Sequence, residues 1–514
     1  MRQDRDMAAS QHDETERKFD VETRTVLPNL ASAEGVVSVD QPSEFQLEAV
    51  YFDTPDHDLA RNRITLRRRT GGADDGWHLK LPAGPDTRTE IREPLGPPGG
   101  DVPDPLRTRV RAIVRDRPLA PIVIVNTARR EYALRAAEGA VVARVCDDSV
   151  LGRLLGDDEP DQTWREWEVE LDAGPASVLD AVTAVLLAAG AAPASVGSKL
   201  TRVLGEIPVV DQERPSRKQL ARGTAGQLLC AHLTEQTARL HEHDAGVRAG
   251  NPESVHRLRI AARRLRSALS TFRPILERTR TDPVQEELRW LGQSLAPARD
   301  AQVLREHLLA QASSEPSELV IGSAVTRIDD QLHADHQSGL VGAREALDSD
   351  RYRRLLDTLD TLVASPPLRP RAHTPTRTMM PRLLARDVKR LRRAARAIDV
   401  APEGRRDVAF HETRKKAKRV RYAAEVAAPA LGKRARSLAK TARAAQQVLG
   451  AHQDSVNARG RLRELGVQAH LAGDNSFTFG RLHALEQVRA ERAEAEFETV
   501  WTKFSHKQIP RWTA

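Results

Sequence analysis

Cysteine is nearly absent: Cys146 and Cys230 are the only two in 514 residues. At most one bridge can form and no Cys-x-x-Cys metal pair exists, so a reducing, cytoplasmic setting is expected. Aromatic residues make up 4% of the chain and are not interleaved with its basic runs, so no base-stacking surface is expected. No docking motif for DNA or RNA is present either, and nucleic acid is not the expected partner. Long apolar runs are missing as well. The longest, AVTAVLLAAGAA at 181–192, is too short to span a bilayer, and the opening MRQDRDMAASQHDETERK has no apolar stretch of the signal-peptide kind. A soluble chain of two or three domains is expected.

Charge is abundant and unevenly placed. Residues 1–205 hold 26 Lys and Arg against 35 Asp and Glu, a net −9, while residues 206–514 hold 54 against 37, a net +17. Such asymmetry fits an anion-binding half joined to a half of different chemistry. The first half reads as short strands, among them RITLRRRT, WHLKLP, RTEIRE, PIVIVNT, REYALRA, GAVVARVCDD and WREWEVEL, broken by GGADDG and GPPGG. Many short strands so spaced predict an antiparallel barrel or sandwich, with ASVLDAVTAVLLAAG as a helix.

Side chains alternate along a strand. In ETERKFDV, Glu14, Glu16 and Lys18 therefore share one face, and Phe19 and Val21 the other. The same oddity recurs. Arg67 and Arg69 share a face; Lys80 points away from Trp77, Leu79 and Leu81; Arg88 pairs with Glu90; and Glu166, Glu168 and Glu170 oppose Trp167, Val169 and Leu171. Rows of charge are costly to bury unless paired. An outer apolar face under helices and an inner face of mixed charge describe a barrel with a hydrated bore.

From about residue 222 Ala, Leu, Arg and Glu dominate, as in long helices. VHRLRIAARRLRSAL, from His256, and FHETRKKAKRVRYAA, from His411, repeat one pattern. Bases follow each histidine at +3, +7, +8 and +10: Arg259, Arg263, Arg264 and Arg266, then Arg414, Lys418, Arg419 and Arg421. Asp300 and Asp454 follow at similar distances (256 to 300, 411 to 454). A duplicated helical module is predicted. The histidine and the bases at +3, +7 and +10 fall within an arc of about 80° on a helix. Leu258, Ala262, Leu265 and Leu269, and Thr413, Ala417, Val420 and Ala424, take the opposite side. A third basic helix, LLARDVKRLRRAARAI, adds Arg386, Lys389, Arg390 and Arg393. Stacked like charges destabilise a helix, and a polyanion relieves that repulsion. HEHD at 241–244 and HADH at 333–336 lack a supporting ligand cluster and read as surface helix residues, and GPPGG lacks the strand–helix context of a phosphate loop.

Residues 220–510 resemble a CHAD domain, the conserved-histidine α-helical domain, in both His-x-x-Arg-x-x-x-basic copies. The resemblance implies a helical bundle that binds inorganic polyphosphate without chemistry of its own, through His256, Arg259, Arg263, Arg266, His411, Arg414, Lys418 and Arg421. Gln453 stands in the second copy where the first has Arg299.

Residues 12–205 resemble a CYTH domain, of the triphosphate tunnel metalloenzyme superfamily. Glu-x-Glu-x-Lys at 14–18, the later Lys, Arg-x-Glu and Glu-x-Glu strands, YFDTPDHDLARNRITLRRR and SVGSKLTR carry the likeness. It implies an eight-stranded antiparallel β-tunnel, so the whole chain is expected to be α+β: a tunnel, a linker at 206–219 and an all-α bundle with internal duplication. By position, Glu14, Glu16, Glu168 and Glu170 are the expected ligands of Mg²⁺ or Mn²⁺. Lys18, Arg67, Arg69, Lys80, Arg88, Arg129 and Lys199 are the expected phosphate contacts, with Lys18 also in the catalytic set. The implied reaction is hydrolysis of inorganic triphosphate or short polyphosphate, by a water that metal and carboxylates activate, with no side-chain nucleophile. A catalytically idle tunnel that only binds polyphosphate, or one acting on thiamine triphosphate or as an adenylyl cyclase, are the rival readings. Arg144 stands where the family often has an acid, and Asn126 where a further Arg is common.

Overall fold

The computed structural model describes residues 10–82, 86–97, 99–156, 159–205 and 215–507. The chain divides into two compact units, residues 1–211 and 212–514. Most of the expected linker, 206–214, lies outside the described residues, and its end enters a short helix, Arg217–Arg222. Among the described residues no helix is long and apolar enough to cross a membrane.

The first unit is a closed barrel of eight antiparallel strands. They are β1 (Ser10–Val21), β2 (Ser43–Asp53), β3 (Thr65–Thr70), β4 (Gly76–Pro82), β5 (Thr87–Glu93), β6 (Ala120–Arg135), β7 (Val141–Leu154) and β8 (Gln162–Leu171). Their order round the barrel is β1–β5–β4–β3–β2–β6–β7–β8. Closure is made by β1 alone: residues 10–15 pair with β5 and residues 16–21 with β8. PIVIVNT and REYALRA, read as two strands, are one, because nothing in Asn126–Thr127–Ala128 breaks the ladder to β2 and β7. β2 itself was not among the strands read from the sequence.

The outer apolar faces are covered as the alternation predicts. Helix α1 (Asp104–Val114) packs Leu106 and Val110 on Leu66, Trp77, Leu79 and Ile91. Helix α2 (Ala176–Ala188) packs Val178, Val182 and Leu186 on Phe19, Val145, Trp167 and Val169. A short helix, α3 (Lys199–Leu204), does something else: Leu200 and Val203 pack on Ala49, Tyr51, Val123, Val125 and Val150. These belong to the inner faces, so part of the interior is apolar. The expectation of an evenly charged bore fails along β2, where Phe45, Leu47, Ala49 and Tyr51 face inward.

The second unit is helical. It comprises α4 (Ala225–Arg248), α5 (Pro252–Thr271), α6 (Arg278–Ser294), α7 (Ala296–Ser313), α8 (Ala324–Asp348), α9 (Asp350–Ala364), α10 (Thr376–Asp399), α11 (Arg406–Leu431), α12 (Lys433–Leu471) and α13 (Phe477–Lys507). The two repeats are α5 and α11, and they pack on each other. Their predicted apolar backs, Leu258, Ala262, Leu265 and Leu269 and Thr413, Ala417, Val420 and Ala424, are all buried. In the first copy Pro297 sits in the first turn of α7 and separates it from α6, whereas the second copy lacks that proline and α12 runs unbroken. Phe19→Ala should destabilise the barrel by about 3–5 kcal/mol, against less than about 0.5 kcal/mol for the exposed Val26→Ala. Denaturant unfolding followed by tryptophan fluorescence checks this.

Candidate functional sites

Inside the barrel lies a polar cavity of about 390 Å³, and all eleven tunnel residues singled out from the sequence line it: Glu14, Glu16, Lys18, Arg67, Arg69, Lys80, Arg88, Arg129, Glu168, Glu170 and Lys199. Register explains why so much charge can sit there. Positions directly opposite on neighbouring strands share a face, and most inward pairs have opposite sign: Glu14 faces Arg88, Lys18 faces Glu168, Lys80 faces Glu90 and Arg129 faces Asp148. The side chains then exchange partners locally. Lys80 binds Glu14, and Lys18 binds Glu168 and lies 3.1 Å from Glu16. Arg129 forks onto Asp148 at 2.8 and 2.7 Å and reaches Glu168 at 2.7 Å. Lys199 touches Asp148, Glu166 and Glu168 at 2.7–2.8 Å.

The alternation breaks twice, where Glu16 faces Glu170 and where Asp148 faces Glu166, and Lys199 bridges the second pair. Like charges directly opposite repel. Burial pushes Glu16 up, but Lys18 and Lys80 outweigh it and bring it down to about 2. Glu170 has no cation in ion-pair range among the described residues, and burial, with the charges of Glu14 and Glu16, raises it to about 7. Burial also pushes Glu168 up, yet Lys18, Lys199 and Arg129 hold it well below the usual carboxylate range. Among the bases, Arg67 and Arg88 have no carboxylate in ion-pair range among the described residues; Arg88 donates only to the carbonyls of Arg63 and Gly197, at 3.5 and 3.4 Å. The bore thus carries, among the described residues, one carboxylate without a cation and two guanidiniums without a carboxylate, Arg67 being hydrogen-bonded to Tyr51.

The four acids expected to share a metal do not form one tight group. Glu14 clusters with His12 and Glu90, and Glu168 with Asp148 and Glu166, the candidate ligand atoms of each trio lying within 4.8 Å. The carboxylate oxygens of both trios, with the His12 nitrogen in the first, could hold a metal ion. Sequence reasoning missed Asp148 and left Glu90 and Glu166 without roles. Asp148 lies in a register partner of Arg129 that no local pattern reveals. Of the two departures, Asn126 is exposed on the outer face and does not reach the cavity. Arg144 lines it but is engaged by Glu131 at 2.8 Å and Asp172 at 3.1 Å.

The helical unit has its own groove, of about 1560 Å³. His256, Arg259, Arg263, His411, Arg414 and Lys418 line it, but Arg266 and Arg421 do not. Arg421, at the +10 position, turns to Glu425 at 2.7 Å and Gln446 at 3.1 Å. The duplication extends to contacts: Arg259 lies 2.9 Å from Asp300 and Arg414 3.8 Å from Asp454. Where the first copy has Arg299, Gln453 hydrogen-bonds His411. Burial, then Arg414 and Arg263, push Lys418 down to about 7. The third basic helix, α10, contributes nothing to this lining.

Comparison with known proteins gives the same two units. The CYTH domain family matches residues 12–203 and the CHAD domain family residues 231–463. An uncharacterized protein of Mycobacterium tuberculosis is 41% identical, with 96% of each chain covered. PptA from Streptomyces chartreusis aligns in structure at 24% identity and a TM-score of 0.47, over 55% of this chain and 99% of its own. The CHAD domain from the plant Ricinus communis aligns at 25% identity and a TM-score of 0.46, over 57% and 95%. The Lys418 amine should gain reactivity toward an acylating reagent as pH rises through about 7, and Arg414→Gln should move that rise to higher pH, since a repelling cation is gone. Labelling followed by mass spectrometry reads both.

Proposed function

From a chain that belongs to the family joining a CYTH domain to a CHAD domain, we propose a metal-dependent hydrolase of inorganic triphosphate or short polyphosphate, whose helical unit binds longer polyphosphate. The observation that carries the reading is the like-charge pair Glu16 opposite Glu170, which, unlike Asp148 opposite Glu166 with its bridging Lys199, leaves Glu170 with no cation in ion-pair range among the described residues. A divalent cation removes that repulsion, and a triphosphate answers Arg67 and Arg88, which have no carboxylate among the described residues. Binding is then an exchange of partners. Lys18, Lys80, Arg69, Arg129 and Lys199 would pass from carboxylates to phosphate oxygens, and Glu14, Glu16 and Glu168, so freed, would hold the metal with Glu170. Breaking a buried ion pair outright leaves a costly uncompensated charge, and an exchange of partners keeps each charge compensated.

When bound, the metal supplies charge neutralisation on the phosphate oxygens. The protein's own part is positional. Guanidinium forks orient the chain and offset charge on the leaving group. A second reading is favoured by the apolar inner face of β2. Phe45, Leu47 and Tyr51 in the cavity lining suit a triphosphate with an organic group, such as thiamine triphosphate. In the helical groove, the paired stripes of α5 and α11 suit a long phosphate chain.

Purified protein with Mg²⁺ or Mn²⁺ should release phosphate from triphosphate, and Glu14→Ala should lower the rate by about 100-fold or more. Undiminished turnover in that variant overturns the assignment, and faster release from thiamine triphosphate selects the second reading. Metal affinity should also depend on pH. Below about 7 Glu170 holds a proton that metal must displace, so Mn²⁺ affinity should fall by up to about tenfold per pH unit on going from 7 to 5. Calorimetric titration at several pH values, with Glu170→Gln as a comparison whose affinity should depend less on pH, checks this.

A further inference from the structure

Away from the groove, the C-terminal end of α5 meets five guanidiniums. Arg273 and Arg278 come from the chain that follows α5, Arg386 and Arg390 from successive turns of α10, and Arg419 from α11. With Ser270 and Pro274 they line a small cavity of about 80 Å³. None of the five lines the groove.

Two carboxylates answer them. Asp387, fully buried, accepts from the Thr271 hydroxyl at 2.8 Å and lies 3.1 Å from both Arg390 and Arg419. Asp282 takes Arg273. Arg386 donates to the Thr271 carbonyl at 2.7 Å and Arg419 to the Ser270 carbonyl, so these two also cap the last turn of α5. Capping explains Arg386 and Arg419. It leaves Arg273, Arg278 and Arg390 drawn to the same cavity, with five cations against two anions. Arg278 has no carboxylate in ion-pair range among the described residues, and the Nε–H groups of Arg273 and Arg386 are buried without a hydrogen-bond partner. Burial pushes Arg386 below its ordinary value against the opposing charge of Asp387, with Arg390, Arg419 and Arg278 adding to the push. A buried N–H left unmatched is destabilising, and two are present. An anion with several acceptor oxygens answers both the surplus charge and the unmatched donors.

We propose that this pocket is a second anion site of the helical unit and takes one tetrahedral phosphate group, either free orthophosphate or the end of a phosphate chain. Planar guanidinium donors converging from three helices and a connecting segment suit a compact oxyanion, and the small volume excludes an extended chain. The site stands independently of the tunnel and of the groove. Lys418 faces the groove and Arg419, one residue on, faces this pocket, so α11 serves both.

The test is arginine footprinting on the full chain at fixed ionic strength, with phenylglyoxal modification of Arg278 and Arg390 read by mass spectrometry. Orthophosphate at ten times its dissociation constant should slow modification of both by about tenfold, and Lys418→Gln should leave that protection intact. Protection by polyphosphate alone identifies the chain end as the occupant and keeps the site. Unchanged modification with either probe, or protection that disappears in Lys418→Gln, overturns it. Because the readout is at the arginines in unaltered protein, it does not depend on a pocket variant folding.

Discussion

Charge opposite charge, strand against strand, is what lets the barrel have an interior at all. A closed sheet turns one face of every strand inward, and an inward Lys or Glu without a partner costs several kcal/mol. Placing Glu14 against Arg88, Lys18 against Glu168 and Arg129 against Asp148 makes register itself the neutralising device. A slip of one residue in any strand would put Phe19 or Trp167 inside and the acids under a helix. The outer clusters on α1 and α2 therefore defend the inner charge pattern as much as they defend stability.

Because that neutralisation is nearly complete, its exceptions carry meaning. Glu170 without a cation, and Arg67 and Arg88 without a carboxylate, are residues whose electrostatic needs are not met by the protein. Structural ion-pair networks also perturb titration, and Glu168 is such a case, held down by three bases. Glu170 differs in that its shift is set by burial and by other acids. The same distinction separates groups in the helical unit: Arg259 and Arg414 have their aspartates, whereas Lys418 sits among cations and gives up part of its charge.

The sequence made the barrel's charged strands legible because a period of two survives in six or seven residues. ETERKFDV, LRRRT and WREWEVEL each declare both faces, and the nine tunnel residues drawn from such patterns reach one cavity, together with Arg129 and Lys199, which only the family likeness supplied. β2 was not legible. SEFQLEAVYFD alternates apolar and polar as any half-exposed strand does, and only the closure of the sheet turns Phe45, Leu47 and Tyr51 inward. PIVIVNT and REYALRA were divided because Asn and Thr favour turns locally, a preference the ladders to β2 and β7 override. In the helical unit the stripe arithmetic held for the residues at +0, +3 and +7 and failed at +10. Arg266 and Arg421 are not among the groove's lining residues, and Arg421 is held by Glu425 and by Gln446, which does line it.

The basic helix α10 shows why composition alone misplaces function. Its Arg386, Lys389, Arg390 and Arg393 look like a third stripe beside the two repeats, and a count of charges would add them to the same grip. The fold separates them: Arg386 and Arg390 turn toward the end of α5, where Asp387, on the same helix and fully buried, ties Arg390 and Arg419 together. A stripe repeated at helical spacing belongs to one surface and can be read from one segment. A pocket gathered from three helices and a connection has no sequence period, because its members are set by packing angles between elements. What identifies it is an imbalance visible only in three dimensions, five guanidiniums around two carboxylates.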